Sequence, residues 1–181
     1  MNYLVVSDIH GSMAGAKAFE DALNMHQPEA VLCLGDVLYH GPRNDLPARY
    51  APKEVIPLMN RYASKISAVR GNCDAEVDQM VLNFPLTADY NTFLLGRRRV
   101  FMTHGHIYSP EHLPLLSKGD IFLFGHTHIP LAEETDGIMI LNPGSISLPK
   151  QGFKPSYGLL SEERFTVYSA AHQTILQLLF D

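Results

Sequence analysis

Short apolar runs alternate with stretches of helical spacing through the first third of the chain. Tyr3 to Ser7 is of strand length and gives way to the polar pair Ser7-Asp8. From Ala14 to Met25, residues Ala18, Ala22 and Met25 share one face with Phe19 alongside, the spacing of an amphipathic helix. Ala30 to Leu34 repeats the buried-strand pattern and ends at Gly35-Asp36. A loop containing Gly41-Pro42 and Pro47 then leads to a helix over about 53–64. Ile66 to Val69 reads as a third strand, ended by Arg70-Gly71-Asn72. Strands alternating with helices predict a parallel sheet covered on both faces.

The second half changes rhythm. Thr92 to Leu95, Arg99 to Thr103, Ile121 to Phe124, Leu131 to Glu134, Gly137 to Leu141, Tyr157 to Ser161, Phe165 to Ser169 and Thr174 to Phe180 all read as strands. Thr135-Asp136-Gly137 is a hairpin signal. Only Pro110 to Lys118 reads as helical. The pattern predicts two stacked sheets sharing one core with helices outside, a single α/β domain over 1–181 with no separate cap. Met13, Met25, Met59, Met80, Met102 and Met139 fall at core-like positions and read as packing.

Composition narrows the function classes. Of 181 residues, 46% are hydrophobic and 18% charged, which excludes disorder and a coiled coil. Lys and Arg number 14 against 19 Asp and Glu, a net charge of −5. Such a chain has no basic excess with which to displace counterions from long nucleic acid, although a small phosphorylated substrate stays admissible. No segment approaches the ~18 consecutive apolar residues of a membrane helix. Cys33 lies in an apolar run and Cys73 in a turn-like segment, so no disulfide framework is expected and a reducing, cytoplasmic location is. The run Ile175 to Phe180 predicts a strand whose edge offers a route to a homo-oligomer.

Metal-ligand residue types recur at one kind of place, just after an apolar run. They are Asp8-Ile9-His10, Gly35-Asp36, Gly71-Asn72-Cys73-Asp74, Thr103-His104-Gly105-His106 and Gly125-His126-Thr127-His128. Each block alone reads as a turn or a helix cap. All of them together, in order and at strand ends, predict one metal site at the carboxyl edge of the sheets.

The order Asp-x-His, Gly-Asp, Gly-Asn-x-Asp, Gly-His and Gly-His-x-His resembles the calcineurin-like metallophosphoesterase superfamily, over residues 8 to 128. The Gly-Asn-Cys-Asp variant, the segment from Gly35 to Asn44 and Asn142-Pro143-Gly144-Ser145 are similar to the small YfcE-type bacterial phosphodiesterases. The resemblance implies a four-layer αββα sandwich with two central mixed β-sheets flanked by helices, and two divalent metal ions. Asp8, His10, Asp36 and His128 would hold the first metal, and Asp36, Asn72, His104 and His126 the second. Manganese is the expected metal, with Fe, Zn or Ni as alternatives. The implied reaction is hydrolysis of a small phosphodiester by a metal-bridging hydroxide. A phosphomonoesterase with the same metals and a non-catalytic protein-docking scaffold are the competing readings.

Many members of the superfamily carry His where this chain has Cys73, a residue type able to protonate the leaving alkoxide. Cys73 could take that role or be structural. His106 and His40 are further candidates, and Asp74 could orient such a group. Arg43 and Arg70 are read either as substrate contacts or as surface ion pairs.

Overall fold

The computed structural model describes residues 1–180. Its organisation follows from alternation along the strands. In β1 (Asn2–Val6), Leu4 and Val6 point to one apolar cluster and Val5 to another. The first cluster also takes Phe19, Ala22 and Leu23 of α1 (Met13–His26) and Val55, Leu58 and Met59 of α2 (Pro52–Arg61). Both helices therefore cover one face of the first sheet. Ser12 caps α1, its Oγ accepting from the Gly15 amide at 3.1 Å, and Pro at the start of α2 costs no helical hydrogen bond. A single 3-10 turn, Ala63–Lys65, follows α2.

The first sheet runs β11-β10-β9-β1-β2-β3, with β2 (Ala30–Cys33), β3 (Ile66–Ala68), β9 (Ser156–Ser161), β10 (Arg164–Ser169) and β11 (Thr174–Leu179). β1, β2 and β3 are parallel, whereas β9, β10 and β11 pair antiparallel. The second sheet runs β4-β5-β6-β8-β7, from β4 (Tyr90–Leu95), β5 (Arg98–Thr103), β6 (Ile121–Leu123), β7 (Pro130–Thr135) and β8 (Ile138–Pro143). It too is mixed, with β5, β6 and β8 parallel. Between the sheets, Val5, Leu32, Phe165 and Val167 meet Val100, Met102, Ile121, Leu123 and Leu141 in a common core. The architecture is thus an α/β sandwich around two mixed sheets. The Asp136-Gly137 hairpin has both residues at positive φ (54° and 83°), as a two-residue primed turn requires.

One expected element differs. Residues 110–118 do not form a helix. Pro114 lacks an amide and drives Leu113 out of the helical region. Side chains take over the backbone groups instead: Asp120 Oδ2 accepts from the Ser117 amide at 2.8 Å, and Arg99 Nη2 donates to the Leu115 carbonyl at 2.9 Å. Leu116 from this irregular stretch, with Tyr108 just before it, still covers Phe101, Phe122, Phe124 and Ile140 on the outer face of the second sheet. A four-residue helix, α3 (Glu76–Gln79), forms where the sequence pattern gave no helical signal. β11 is an edge strand, as its position at the end of the sheet order requires.

Candidate metal centre

The turns that leave β1, β2, β3, β5 and β6 meet at one edge of the sandwich. The loop after β1 is strapped to the loop after β2 by Asp8 N to Gly35 O (3.1 Å), His10 N to Asp36 O (2.8 Å) and Gly11 N to Val37 O (2.8 Å). Gly125 N donates to His104 O at 2.7 Å and joins the loops after β5 and β6. Asp8, His10, Asp36, His126 and His128 all have φ between 51° and 63°. Left-handed backbone at a non-glycine residue is unfavourable and persists only where the surroundings enforce it, a pattern that gathers at functional sites. Two glycines allow the crowding. A Cβ on Gly71 would lie 2.0 Å from Asp36 Oδ1, and one on Gly125 would lie 2.0 Å from Ser7 Oγ.

The side chains converge on a small polar centre. His128 Nε2 and His10 Nε2 lie 3.1 and 3.5 Å from Asp8 Oδ1, and 3.3 Å from each other. Asp36 Oδ2 lies between, 3.7 Å from His10 Nε2 and 3.4 Å from His104 Nε2. Beyond it, Asn72 Oδ1 and His126 Nδ1 sit 3.1 and 3.2 Å from His104 Nε2. Asp8, His10 and His104 are fully buried, Asp36 and His128 nearly so.

Three of the imidazoles are oriented from behind. Their Nδ1–H groups donate to the carbonyls of Tyr39 (His10, 2.7 Å), Leu34 (His104, 2.6 Å) and Leu148 (His128, 2.6 Å). A carbonyl can only accept, so each neutral ring turns its Nε2 lone pair to the centre. That is how proteins prepare histidines as metal ligands. Asp8 Oδ2 accepts from Ser7 Oγ and from the His126 amide, while its buried Oδ1 has no hydrogen-bond partner in the protein. An orphaned, buried carboxylate oxygen facing inward-turned imidazole nitrogens fits divalent cations with mixed oxygen and nitrogen ligands.

Without a cation these groups balance one another. Burial works to raise the Asp8 carboxyl, but the His10 and His128 imidazoles beside it and the field of His104 hold it well below the usual range. Burial opposes ionisation of Asp36 too, and the neighbouring His104 keeps it low. Burial disfavours the charged form of His104, yet its bond to Asp36 and the charge of Asp8 raise it to about 9. His126 moves the other way, to about 4, through burial and the charge on His104.

The remaining candidates fall into different places. Asp74 is buried and faces away from the centre: Oδ2 accepts from the amides of Asp36 and Gly71 (2.7 Å each), Oδ1 from that of Val37 (2.9 Å). Burial, then the charge of Asp36, pushes its carboxyl up to about 6. The Cys73 amide donates to Asp36 Oδ1 at 2.8 Å. Its Sγ belongs to a group with ligand atoms of His10 and Asp36 that all lie within 4.8 Å of one another. Burial and the Asp36 carboxylate push that thiol up to about 12, which leaves it protonated and weakly acidic at neutral pH. His106 is exposed beside the centre, its ring centroid 5.4 Å from that of His104, and like His40 it does not line the cavity over the centre. His40 stacks edge-on to Tyr39 and Tyr50 and does not line the cavity over the centre. Arg43 lines that cavity, whereas Arg70 is paired with Asp89 at 2.7 Å.

The sequence blocks do not include a clamp from the 142–148 segment. Ser145 and Ser147 both donate from Oγ to the Asp8 carbonyl (2.8 Å each), and Asn142 Nδ2 donates to the Gly125 carbonyl (2.8 Å). Asn-Pro-Gly-Ser directly after an apolar run was the available signal.

The chain is similar to known phosphoesterases in sequence and in fold. Residues 1–164 match the model of the calcineurin-like phosphoesterase superfamily domain. The chain is 46% identical over 176 residues to phosphodiesterase YfcE of Escherichia coli strain K12, covering 97% of this chain and 96% of that protein. It is 29% identical to the probable metallophosphoesterase YsnB of Bacillus subtilis, covering 90% and 85%. The solved structure of the E. coli phosphoesterase YfcE superposes with a TM-score of 0.97 at 44% identity, over the whole of both chains.

Proposed function

Because this chain belongs to the calcineurin-like phosphoesterase superfamily, we propose that it hydrolyses small phosphodiesters at a centre holding two divalent metal ions. It is a hydrolase of the phosphoesterase type; the preference for diesters, the two-metal centre and the choice of manganese are our reading. The observation that carries the reading is the inward set of imidazole nitrogens around the unpartnered Oδ1 of Asp8.

We assign Asp8, His10, Asp36 and His128 to one ion and Asp36, Asn72, His104 and His126 to the other. Asp36 lies between the two groups, which suits a bridging carboxylate. When bound, such a pair supplies a hydroxide nucleophile near neutral pH and positive charge to offset the phosphoryl oxygens. The protein's part is positioning. Tyr39, Leu34 and Leu148 carbonyls fix three rings, and the serine clamp and the Asp74 pedestal fix the two carboxylates. Thr127 and Asn44 line the cavity of about 470 Å³ above, where the ester groups would lie. His106, exposed beside His104, would contact phosphate oxygens in this reading. In this reading the chain is one catalytic domain without a cap. Its two free cysteines, and the absence of any helix long and apolar enough to cross a membrane among the described residues, suit the cytoplasm.

The test is hydrolysis of bis(p-nitrophenyl) phosphate and p-nitrophenyl phosphate by chelator-stripped protein, with and without manganese. Manganese-restored cleavage with preference for the diester is expected. Preference for the monoester would make the protein a phosphatase, and failure on both would leave a docking scaffold.

A further inference from the structure

The mouth of the metal-site cavity is positively charged in a chain whose net charge is −5. Arg43 and Lys150 line it, both exposed, and neither lies in an ion pair among the described residues. The one carboxylate lining the cavity is Asp36, buried on the floor and committed there.

Both cations are carried by backbone that is pinned to the site. Arg43 sits in a turn closed by Asn44, whose Nδ2 donates to the His40 carbonyl at 2.8 Å. The same turn packs against Cys73 through Gly41, where a Cβ would come within 2.9 Å of Sγ. Lys150 follows the segment that orients His128: the Leu148 carbonyl accepts from His128 Nδ1 at 2.6 Å, and the Lys150 amide donates to the His128 carbonyl at 3.2 Å. One cation is thus carried by the Cys73 wall and the other by the His128 wall. A single phosphodiester group carries one negative charge, which the proposed metal centre beneath would meet when loaded. Two further unpaired cations above it are surplus to that charge, and a forked guanidinium with an ammonium is suited to a phosphate dianion.

Resting on the phosphodiesterase reading, we propose that Arg43 and Lys150 bind a second phosphate on the part of the substrate that is not cleaved. The favoured substrates are then phosphodiesters that carry a terminal phosphomonoester, such as short phosphorylated nucleotide fragments.

Two readouts on the manganese-loaded protein test this. The first compares thymidine 5′-(p-nitrophenyl phosphate) with its 3′-phosphorylated analogue. The analogue is expected to have a KM about tenfold lower at similar kcat, the order of one well-placed charge-assisted contact. Arg43→Ala and Lys150→Ala should each erase most of that difference. Equal KM values, or variants that raise both KM values by the same factor, would overturn the proposal, the latter placing the cations on the scissile phosphate. The second readout is calorimetric binding of thymidine 3′,5′-bisphosphate against thymidine 5′-monophosphate, which needs no turnover. Tighter binding of the bisphosphate, lost in Lys150→Ala, supports the cation pair even if no diester is cleaved, in which case only the phosphodiesterase reading falls. Cleavage of bis(p-nitrophenyl) phosphate without any preference for the second phosphate would sink this proposal alone.

Discussion

Asp74 holds Asp36 in place without itself facing the metal centre: its Oδ2 accepts from the Asp36 backbone amide at 2.7 Å. The same carboxylate ties the amides of Val37 and Gly71, so the turns after β2 and β3 hang from one buried side chain. Removing it leaves those buried donors unpaired. Asp74→Ala should destabilise the fold by about 2–4 kcal/mol, at about 1–3 kcal/mol per unsatisfied group, with relaxation absorbing part of the sum. Denaturant unfolding measures the loss. Metal affinity should fall with it, because Asp36 is displaced; an Asp74→Ala protein with normal stability and metal content would contradict the pedestal role.

Asp36 carries the greater chemical burden. Its Oδ2 lies between His10 and His104, and its Oδ1 accepts from the Cys73 amide. Asp36→Ala is expected to remove turnover and most bound metal while the protein still folds. Metal content by atomic emission together with circular dichroism checks both. Retained activity at normal metal content would be incompatible with a bridging role.

Cys73 should matter less than its position suggests. With its thiol pushed up to about 12 by burial and by Asp36, it is a weak proton donor. Cys73→Ser is expected to change kcat on bis(p-nitrophenyl) phosphate by less than about fivefold. A loss above about a hundredfold would make the thiol the acid that protonates the leaving group.

The metal-free protein has a definite pH signature. His104, raised to about 9, and His10, also raised, contribute stability that is fully present below the ordinary imidazole pKa and is lost as pH rises through their folded values. Asp8 and Asp36, both lowered, contribute stability present above the ordinary carboxyl pKa and lost as pH falls through their folded values. Metal ligation needs neutral imidazoles, so metal uptake at pH 7.5 must expel protons. Two results are expected: the Tm of stripped protein falls between pH 6.5 and 9, and manganese binding releases protons. Calorimetry in buffers of different ionisation enthalpy measures the release, and uptake without protons would show that these histidines are not ligands.

Much of this is legible in the sequence because the central strands β1, β2, β5, β6 and β8 are largely buried on both faces. Continuous apolar runs such as Ala30 to Leu34 mark β2, and the runs of β1, β2, β3, β5 and β6 are each followed by one of the ligand-type blocks. The false helix over 110–118 arose because apolar spacing there matches a helix, while Pro114 and the Asp120 and Arg99 side chains settle the backbone otherwise. Asp74 was visible only as a residue near a site; that it binds backbone amides instead of a substrate is a tertiary fact. The Ser145 and Ser147 clamp on Asp8 joins residues 137 and 139 positions apart, a pairing that no local pattern encodes.

The central claim is that two groups of ligands sharing Asp36 hold two cations and that hydrolysis depends on both. The most direct test is titration of chelator-stripped protein with manganese, following bound metal and bis(p-nitrophenyl) phosphate hydrolysis in the same samples. Two ions per chain, with activity that rises only as the second site fills, is the predicted result. Saturation at one ion with full activity, or full activity with none, would contradict it.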